Sequence, residues 1–318
     1  MYYTTMAGEV KAVDGLDFDL EQSEVLGIVG ESGCGKSSLA STLLKLLPSN
    51  AMIKEGKIVV EGKDLIPTRD AEVRRDVRWT KIALVPQGAM NALNPVLRVG
   101  DQIAEAITVH SDATGSEART KTESLLKLVG VDPARSRHYP HEFSGGMKQR
   151  AMIAMALALN PKVLIADEPT TALDVIVQAG IIRLLLSLRD EFQMAIILIS
   201  HDLALVAQMS DTTAIMYAGK FVEYGASKEV YKNALHPYTL GLLGAFADIR
   251  KPKEALTAVP GSPPDLIDPP TGCRFHPRCP YAEEVCRLKE PALDEAWKGH
   301  LVACHFWREI RTQRGAKA

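Results

Sequence analysis

Short apolar runs alternate along the chain with segments whose apolar residues recur at every third or fourth position. Val25–Val29 and residues 82–85, 163–166 and 195–199 are runs of four or five residues that read as buried strands. Helical spacing appears between them. Leu39, Thr42, Leu43 and Leu46 mark a helix over residues 38–47 that stops at Pro48, and further helices are expected over 99–109, 117–129, 145–159 and 175–189. Residues 1–24 alternate instead, with Leu16, Phe18 and Leu20 on one face, and read as strands and a turn. Residues 56–62 read as a strand between two glycines, and residues 213–216 and 220–224 as a hairpin turning at Ala218-Gly219. Strands alternating with helices predict an α/β fold around a mostly parallel sheet.

The first of these strands runs into Gly30-Glu31-Ser32-Gly33-Cys34-Gly35-Lys36-Ser37, which fits the spacing G-x-x-x-x-G-K-[ST]. Strand, glycine loop and helix together aim backbone N–H groups and a helix N-terminus at a polyphosphate. Gly30, Ser32, Gly33, Cys34, Gly35 and Ser38 form the cradle, Lys36 reaches the outer phosphates, and the Ser37 hydroxyl is a candidate Mg²⁺ ligand. Other strand ends also carry chemistry. Residues 82–85 run into Pro86-Gln87, a residue type able to ligate a metal or position water. Residues 163–166 end in Asp167-Glu168, one carboxylate suited to Mg²⁺ and the next to polarising a water. Residues 195–199 end in Ser200-His201, in reach of a γ-phosphate. Ligands of open parallel sheets gather at the carboxyl ends of strands, where all these candidates fall. Ser144-Gly145-Gly146 at a helix start is a second candidate anion site.

Composition narrows the picture. A chain of 318 residues with 46% apolar and 24% charged residues can bury a large core, as two domains or one with an appendage. A net charge of −2 argues against nucleic acid as the main partner. No apolar run approaches the roughly 18 residues needed to span a bilayer. The acidic opening, with Asp14, Asp17 and Asp19, does not read as a signal peptide, so a cytosolic chain reaching membranes through a partner is expected. Residues 249–270 carry six prolines and read as an extended connector.

Taken together, these motifs resemble the ATP-binding subunit of an ABC transporter over nearly the whole chain. Residues 30–37 look like Walker A, Gln87 like the Q-loop glutamine, and Ser144-Gly145-Gly146-Met147 like the signature. Residues 163–168 look like Walker B with a catalytic Glu168, residues 171–174 like the D-loop ending in Asp174, and His201 like the switch histidine. Tyr3 stands at the family's distance before Walker A for stacking on adenine. Residues 87–95, the signature through Arg150, and Leu235-His236-Pro237-Tyr238-Thr239 are similar to the oligopeptide/dipeptide importer branch. The Met147 variant resembles the first of that branch's two ATPases. The implied fold is a P-loop NTPase (ABC ATPase) of residues 1–235. It has a mixed sheet core, an antiparallel β subdomain and a helical subdomain at about 88–160, followed by a C-terminal extension at 236–318. The implied ligands are ATP and Mg²⁺, the latter held by Ser37, Gln87 and Asp167. The implied partners are two transmembrane permease subunits, a sister ATPase and, indirectly, an extracytoplasmic solute-binding protein. The implied location is the cytoplasmic face of the membrane. A soluble ABC-type ATPase with a regulatory metal-binding tail is the competing reading. Soluble relatives usually carry two nucleotide domains or a long coiled-coil insertion, which argues against it.

Four of the five cysteines, Cys273, Cys279, Cys286 and Cys304, cluster near the end of the chain. In a reducing compartment such clustering points to metal before disulfide. Their spacing is not the CxxC pairing of zinc ribbons, and it leaves an iron–sulfur cluster, Zn²⁺ and disulfides open. The resemblance associates such a set with a [4Fe–4S] cluster.

Overall fold

The computed structural model describes residues 1–88, 91–244 and 259–315. Its strands, in chain order, are β1 (Tyr2–Thr5), β2 (Gly8–Val10), β3 (Val25–Val29), β4 (Ala51–Met52), β5 (Val59–Val60), β6 (Lys63–Asp64) and β7 (Ile82–Val85), then β8 (Val163–Asp167), β9 (Ala195–Ser200), β10 (Thr212–Tyr217), β11 (Lys220–Ala226), β12 (Asp294–Trp297) and β13 (His300–Val302). Eight form one mixed sheet in the order β12-β13-β11-β10-β3-β9-β8-β7. The five strands from β10 to β7 are mutually parallel, and β11, β13 and β12 continue the sheet antiparallel. β1, flanked by β2 and β4, forms a separate antiparallel sheet.

The continuous apolar runs are explained by this arrangement. Strand side chains alternate faces, so a strand covered on both sides must be apolar throughout. Val25 and Val29, Leu164 and Ala166, and Ile196 and Leu198 pack into one core with the helices Val99–His110, Gly115–Leu128 and Gly145–Ala156. Leu26 and Ile28, Ile165, and Ile197 and Ile199 pack into a second core beneath the helix Lys36–Leu43. The helix Val175–Phe192 buries Ile181, Leu185 and Leu188, one face at helical spacing. Thr114 and Glu117 close a reciprocal capping box at the start of Gly115–Leu128.

The structure departs from the sequence reading in three places. Residues 16–20 alternate in burial as expected, and Leu16, Phe18 and Leu20 pack on the second core, but they form no strand. Alternation reports one covered face; it does not report a ladder partner. The strand expected over 56–62 shrinks to β5, because Glu61 and Gly62, both at positive φ, turn it back into β6. The helix expected over 38–47 begins at Lys36 and ends at Leu43, with Lys45 at positive φ two residues later. Of the 249–270 connector, residues 249–258 lie outside the described residues, as do Ala89 and Met90. Among the described residues, no helix is long and apolar enough to cross a membrane.

Candidate functional site

The glycine loop leaves the carboxyl end of β3 and enters the helix Lys36–Leu43. Two of its glycines are there for space. A Cβ on Gly30 would sit 2.2 Å from the Met216 carbonyl oxygen, and one on Gly35 would sit 2.0 Å from that of Ala12. Gly35 also holds φ 108° as the residue before the helix, a conformation that side chains rarely adopt. Lys36 is buried and donates to the Gly30 and Glu31 carbonyl oxygens at 2.7 and 2.9 Å. Its ammonium therefore rests on the loop's own acceptors, in position to transfer to a phosphate. The Tyr3 hydroxyl, from β1, lies 3.0 Å from Ser38 Oγ in the first turn of the helix. Cys34 is buried, and burial pushes its thiol above the ordinary value despite the nearby Lys36 charge.

Three further strand ends converge beside this loop. Glu168, one residue past β8, receives Gln87 Nε2 at 3.0 Å and Thr171 Oγ1 at 2.9 Å on one oxygen. His201 Nδ1, from just past β9, lies 3.0 Å from the other. Partial burial pushes the Glu168 carboxyl up. Hydrogen bonds from His201 and Thr171, with the charges of His201 and Lys36, outweigh it and hold the group below the ordinary glutamate value. Glu168 is thus an ionised carboxylate. Its backbone sits at φ 48°, a strained conformation for a non-glycine residue, and its N–H donates to the Ile199 carbonyl oxygen on the neighbouring strand.

Asp167 differs from its neighbour. It is buried, and burial raises its carboxyl above the ordinary aspartate value, with the Glu168 charge adding to the rise and the Ser37 hydroxyl and Lys36 opposing it. Its Oδ1 is buried with no hydrogen-bond partner. A buried carboxylate oxygen without a donor, beside a serine hydroxyl, is a site that a hard divalent cation would complete. Ser37 and Asp167 therefore fit Mg²⁺. Gln87 has its amide nitrogen committed to Glu168.

Ser144 and Asp174 each cap a helix. Ser144 Oγ accepts from the Met147 N–H at 3.3 Å, and Asp174 Oδ1 accepts from the Val177 N–H at 2.9 Å. Gly146 faces Val177, whose Cγ1 would lie 2.6 Å from an added Cβ, so the two helix starts pack together. Among the described residues, no hydrogen bond joins Ser144, Gly145 or Gly146 to the Gly30–Ser37 loop.

Comparison with known proteins agrees with this geometry. The ABC transporter family matches residues 13–171, and the family described as oligopeptide/dipeptide transporter, C-terminal region, matches residues 222–286. The dipeptide transport ATP-binding protein DppD of Bacillus subtilis is 46% identical, over 95% of this chain and 91% of its own. The oligopeptide transport ATP-binding protein OppD of Escherichia coli is 45% identical, over 95% of this chain and 89% of its own. A solved dimer of the ATP-binding cassette MJ0796, in a post-hydrolysis state with ADP and Pi, superposes with a TM-score of 0.64. It is 25% identical and covers 71% of this chain and 95% of its own. This chain belongs to the ABC transporter ATPase family.

ATP and Mg²⁺ are the ligands expected of an ABC ATPase, and ATP hydrolysis is its reaction. Sequence reasoning did not find every residue that touches the phosphate loop. The Glu31 N–H donates to the Tyr238 hydroxyl at 2.9 Å, and its carboxylate is paired with Arg278 at 2.7 Å. These partners lie 207 and 247 positions away in sequence, and no local pattern announces them.

The four late cysteines come together as well. Cys273, Cys279, Cys286 and Cys304 line one small cavity, with Phe275, Tyr281 and Phe306 among its other walls. All are free thiols. Burial pushes Cys273 up to about 11 and Cys304 up to about 12, and raises Cys279 as well. Among the described residues, no group of three or more His, Cys, Asp or Glu side chains is gathered closely enough to hold a single metal ion. Four thiols around one cavity remain a soft donor set, spread more widely than a single-ion site.

Proposed function

We propose that this chain is the ATP-hydrolysing subunit of an importer for oligopeptides, dipeptides or similar small solutes. The observation that carries the proposal is the convergence of four parallel strand ends on one phosphate loop. The relatives whose names specify dipeptide and oligopeptide transport supply the solute class. In this reading the loop amides and Lys36 hold the phosphates of ATP, Tyr3 stacks on adenine, and Ser37, Asp167 and the Gln87 side-chain oxygen hold Mg²⁺, which neutralises phosphate charge. Glu168 orients or deprotonates the attacking water, Gln87 holds Glu168 and reports the state of the site, and His201 moves from Glu168 to the γ-phosphate.

The helix start at Ser144–Gly146 and the Asp174 cap complete the site of a sister ATPase rather than their own. One loop leaves the γ-phosphate charge incompletely neutralised, and a second anion-binding helix terminus facing it closes the pair. Residues 1–235 form the nucleotide-binding unit, with the helical subdomain at about 88–160, and residues 236–318 form the extension. Two permeases receive the closing motion on the cytoplasmic face, and a solute-binding protein feeds them from outside.

The four-cysteine cavity is the place for a [4Fe–4S] cluster, which spans a wider donor set than the single Zn²⁺ ion that is the alternative. Cys273, Cys279, Cys286 and Cys304 would hold it, and it would supply a covalent brace to a segment with little core of its own. The chain tagged and purified anaerobically from its own solubilised membranes is expected to bring two permeases and a sister ATPase, identified by mass spectrometry. About four irons per chain are expected in the same preparation. Recovery alone or with soluble machinery contradicts the importer, and stoichiometric zinc or no metal contradicts the cluster.

A further inference from the structure

The second residue of the phosphate loop is held at three points, and two of them come from residues beyond 235. The Lys36 ammonium donates to the Glu31 carbonyl oxygen, the Glu31 N–H donates to the Tyr238 hydroxyl, and Arg278 takes the carboxylate with both ends of its fork, at 2.7 and 3.0 Å. Arg278 is itself fixed. Its Nε donates to the Pro260 carbonyl oxygen at 2.6 Å, its guanidinium lies 5.7 Å from the Tyr217 ring centroid, and only 6% of its side chain is exposed.

The residues behind this clamp are those of the cysteine cavity. Arg278 immediately precedes Cys279 in the chain. Phe275 lines the cavity, and its ring packs 5.4 Å from Tyr238 and 5.2 Å from Tyr217. The two tyrosines contacting the clamp thus rest on a wall of the cavity. A second arginine repeats the pattern: Arg274, next to Cys273, pairs with Asp14 near the start of the chain.

We propose that Arg278 is a positioning residue for the phosphate loop, neutralising Glu31 and linking the packing of the four-cysteine cavity to the affinity for ATP. The proposal rests on the reading of the loop as an ATP site. Its physical basis is charge. Glu31 is a carboxylate within a loop that must accept a polyanion, and a bidentate guanidinium cancels that charge while fixing the loop residue that carries it. Without Arg278, ATP meets an unpaired negative charge; without either charge, the repulsion disappears.

The test is a fluorescence titration of the full chain with mant-ATP, comparing Arg278→Met, which keeps alkyl packing on Tyr217, with Arg278→Met/Glu31→Gln. Arg278→Met is expected to bind about tenfold more weakly, a loss of about 1.4 kcal/mol. The double variant is expected to recover to within about threefold of the unaltered chain, non-additivity that marks a direct pair. The loss should fall on KM for ATP more than on kcat. A Cys279→Ser variant is expected to weaken mant-ATP binding in the same direction, adding little to Arg278→Met. Unchanged affinity in Arg278→Met, or a loss that Glu31→Gln fails to relieve, overturns the proposal, and full additivity of Cys279→Ser overturns the link to the cavity. Should Arg278→Met not fold, Arg278→Gln removes the charge while keeping a hydrogen-bond donor, and unchanged affinity in that variant overturns the proposal. Absence of mant-ATP binding by the unaltered chain sinks the ATP site itself, which separates the two failures.

Discussion

Glu168→Gln is expected to lower ATP hydrolysis by about 10²–10⁴-fold while ATP still binds. The substitution keeps the size of the side chain and removes its charge and basicity. In the structure, Gln87 and Thr171 donate to one Glu168 oxygen and His201 approaches the other, so the carboxylate is an acceptor for all three groups. A glutamine keeps one acceptor oxygen for Gln87 and Thr171 and presents a donor to His201, but it has no basic oxygen to take a proton from water. Binding should survive, because the contacts of Lys36 lie within the loop and none involves Glu168. Removing a negative charge near the γ-phosphate favours ATP if anything. The pH profile carries a second signature. In the nucleotide-free site, where His201 and Thr171 still contact it, Glu168 is held below the ordinary glutamate value, so the acid limb of kcat/KM that belongs to Glu168 should lie below that value. Single-turnover hydrolysis and mant-ATP binding, measured on one preparation, check both parts. Near-normal turnover in the variant would remove Glu168 from its role.

Lys36→Ala is expected to fail earlier, at binding. Lys36 is buried and spends its protons on the Gly30 and Glu31 carbonyl oxygens, which confines its ammonium to the mouth of the loop. A charge-assisted hydrogen bond to phosphate is worth about 1.5–3 kcal/mol, so ATP affinity should drop by roughly 10–100-fold. Losing a cation where charge develops should reduce turnover by a further 10²–10³-fold or so. The two variants then separate cleanly in one assay. Lys36→Ala loses binding and hydrolysis together, whereas Glu168→Gln binds and stalls. Equal ATP affinity in Lys36→Ala and the unaltered chain would contradict the placement of the phosphates.

Much of this site was legible in the sequence because its parts are local. A phosphate loop is eight consecutive residues whose glycines are required by sterics at known positions, and Gly30 and Gly35 meet those requirements against the Met216 and Ala12 carbonyl oxygens. Gln87, Glu168 and His201 were legible by rule: they follow apolar runs, and the carboxyl ends of parallel strands share one edge of a sheet. Residues 16–20 show the limit of periodicity, which reads the covered face and is silent on pairing. The clamp of Tyr238 and Arg278 on Glu31 was invisible for another reason. It joins residues more than two hundred positions apart through geometry that only the closed fold creates. The same holds for β12 and β13, which add to the main sheet beside β11 although they follow the proline-rich stretch. Spacing alone gave the four cysteines no common cavity; the turns between them did.

An importer ATPase couples ATP hydrolysis to the movement of solute. The most direct measurement is ATP hydrolysis by this chain with its co-purified permeases and sister ATPase in proteoliposomes, with solute-binding protein added and peptide supplied or withheld. Turnover that rises severalfold with peptide, moves peptide across the membrane, and disappears in Glu168→Gln is the predicted result. Turnover indifferent to peptide and binding protein, with no peptide moved, would contradict it.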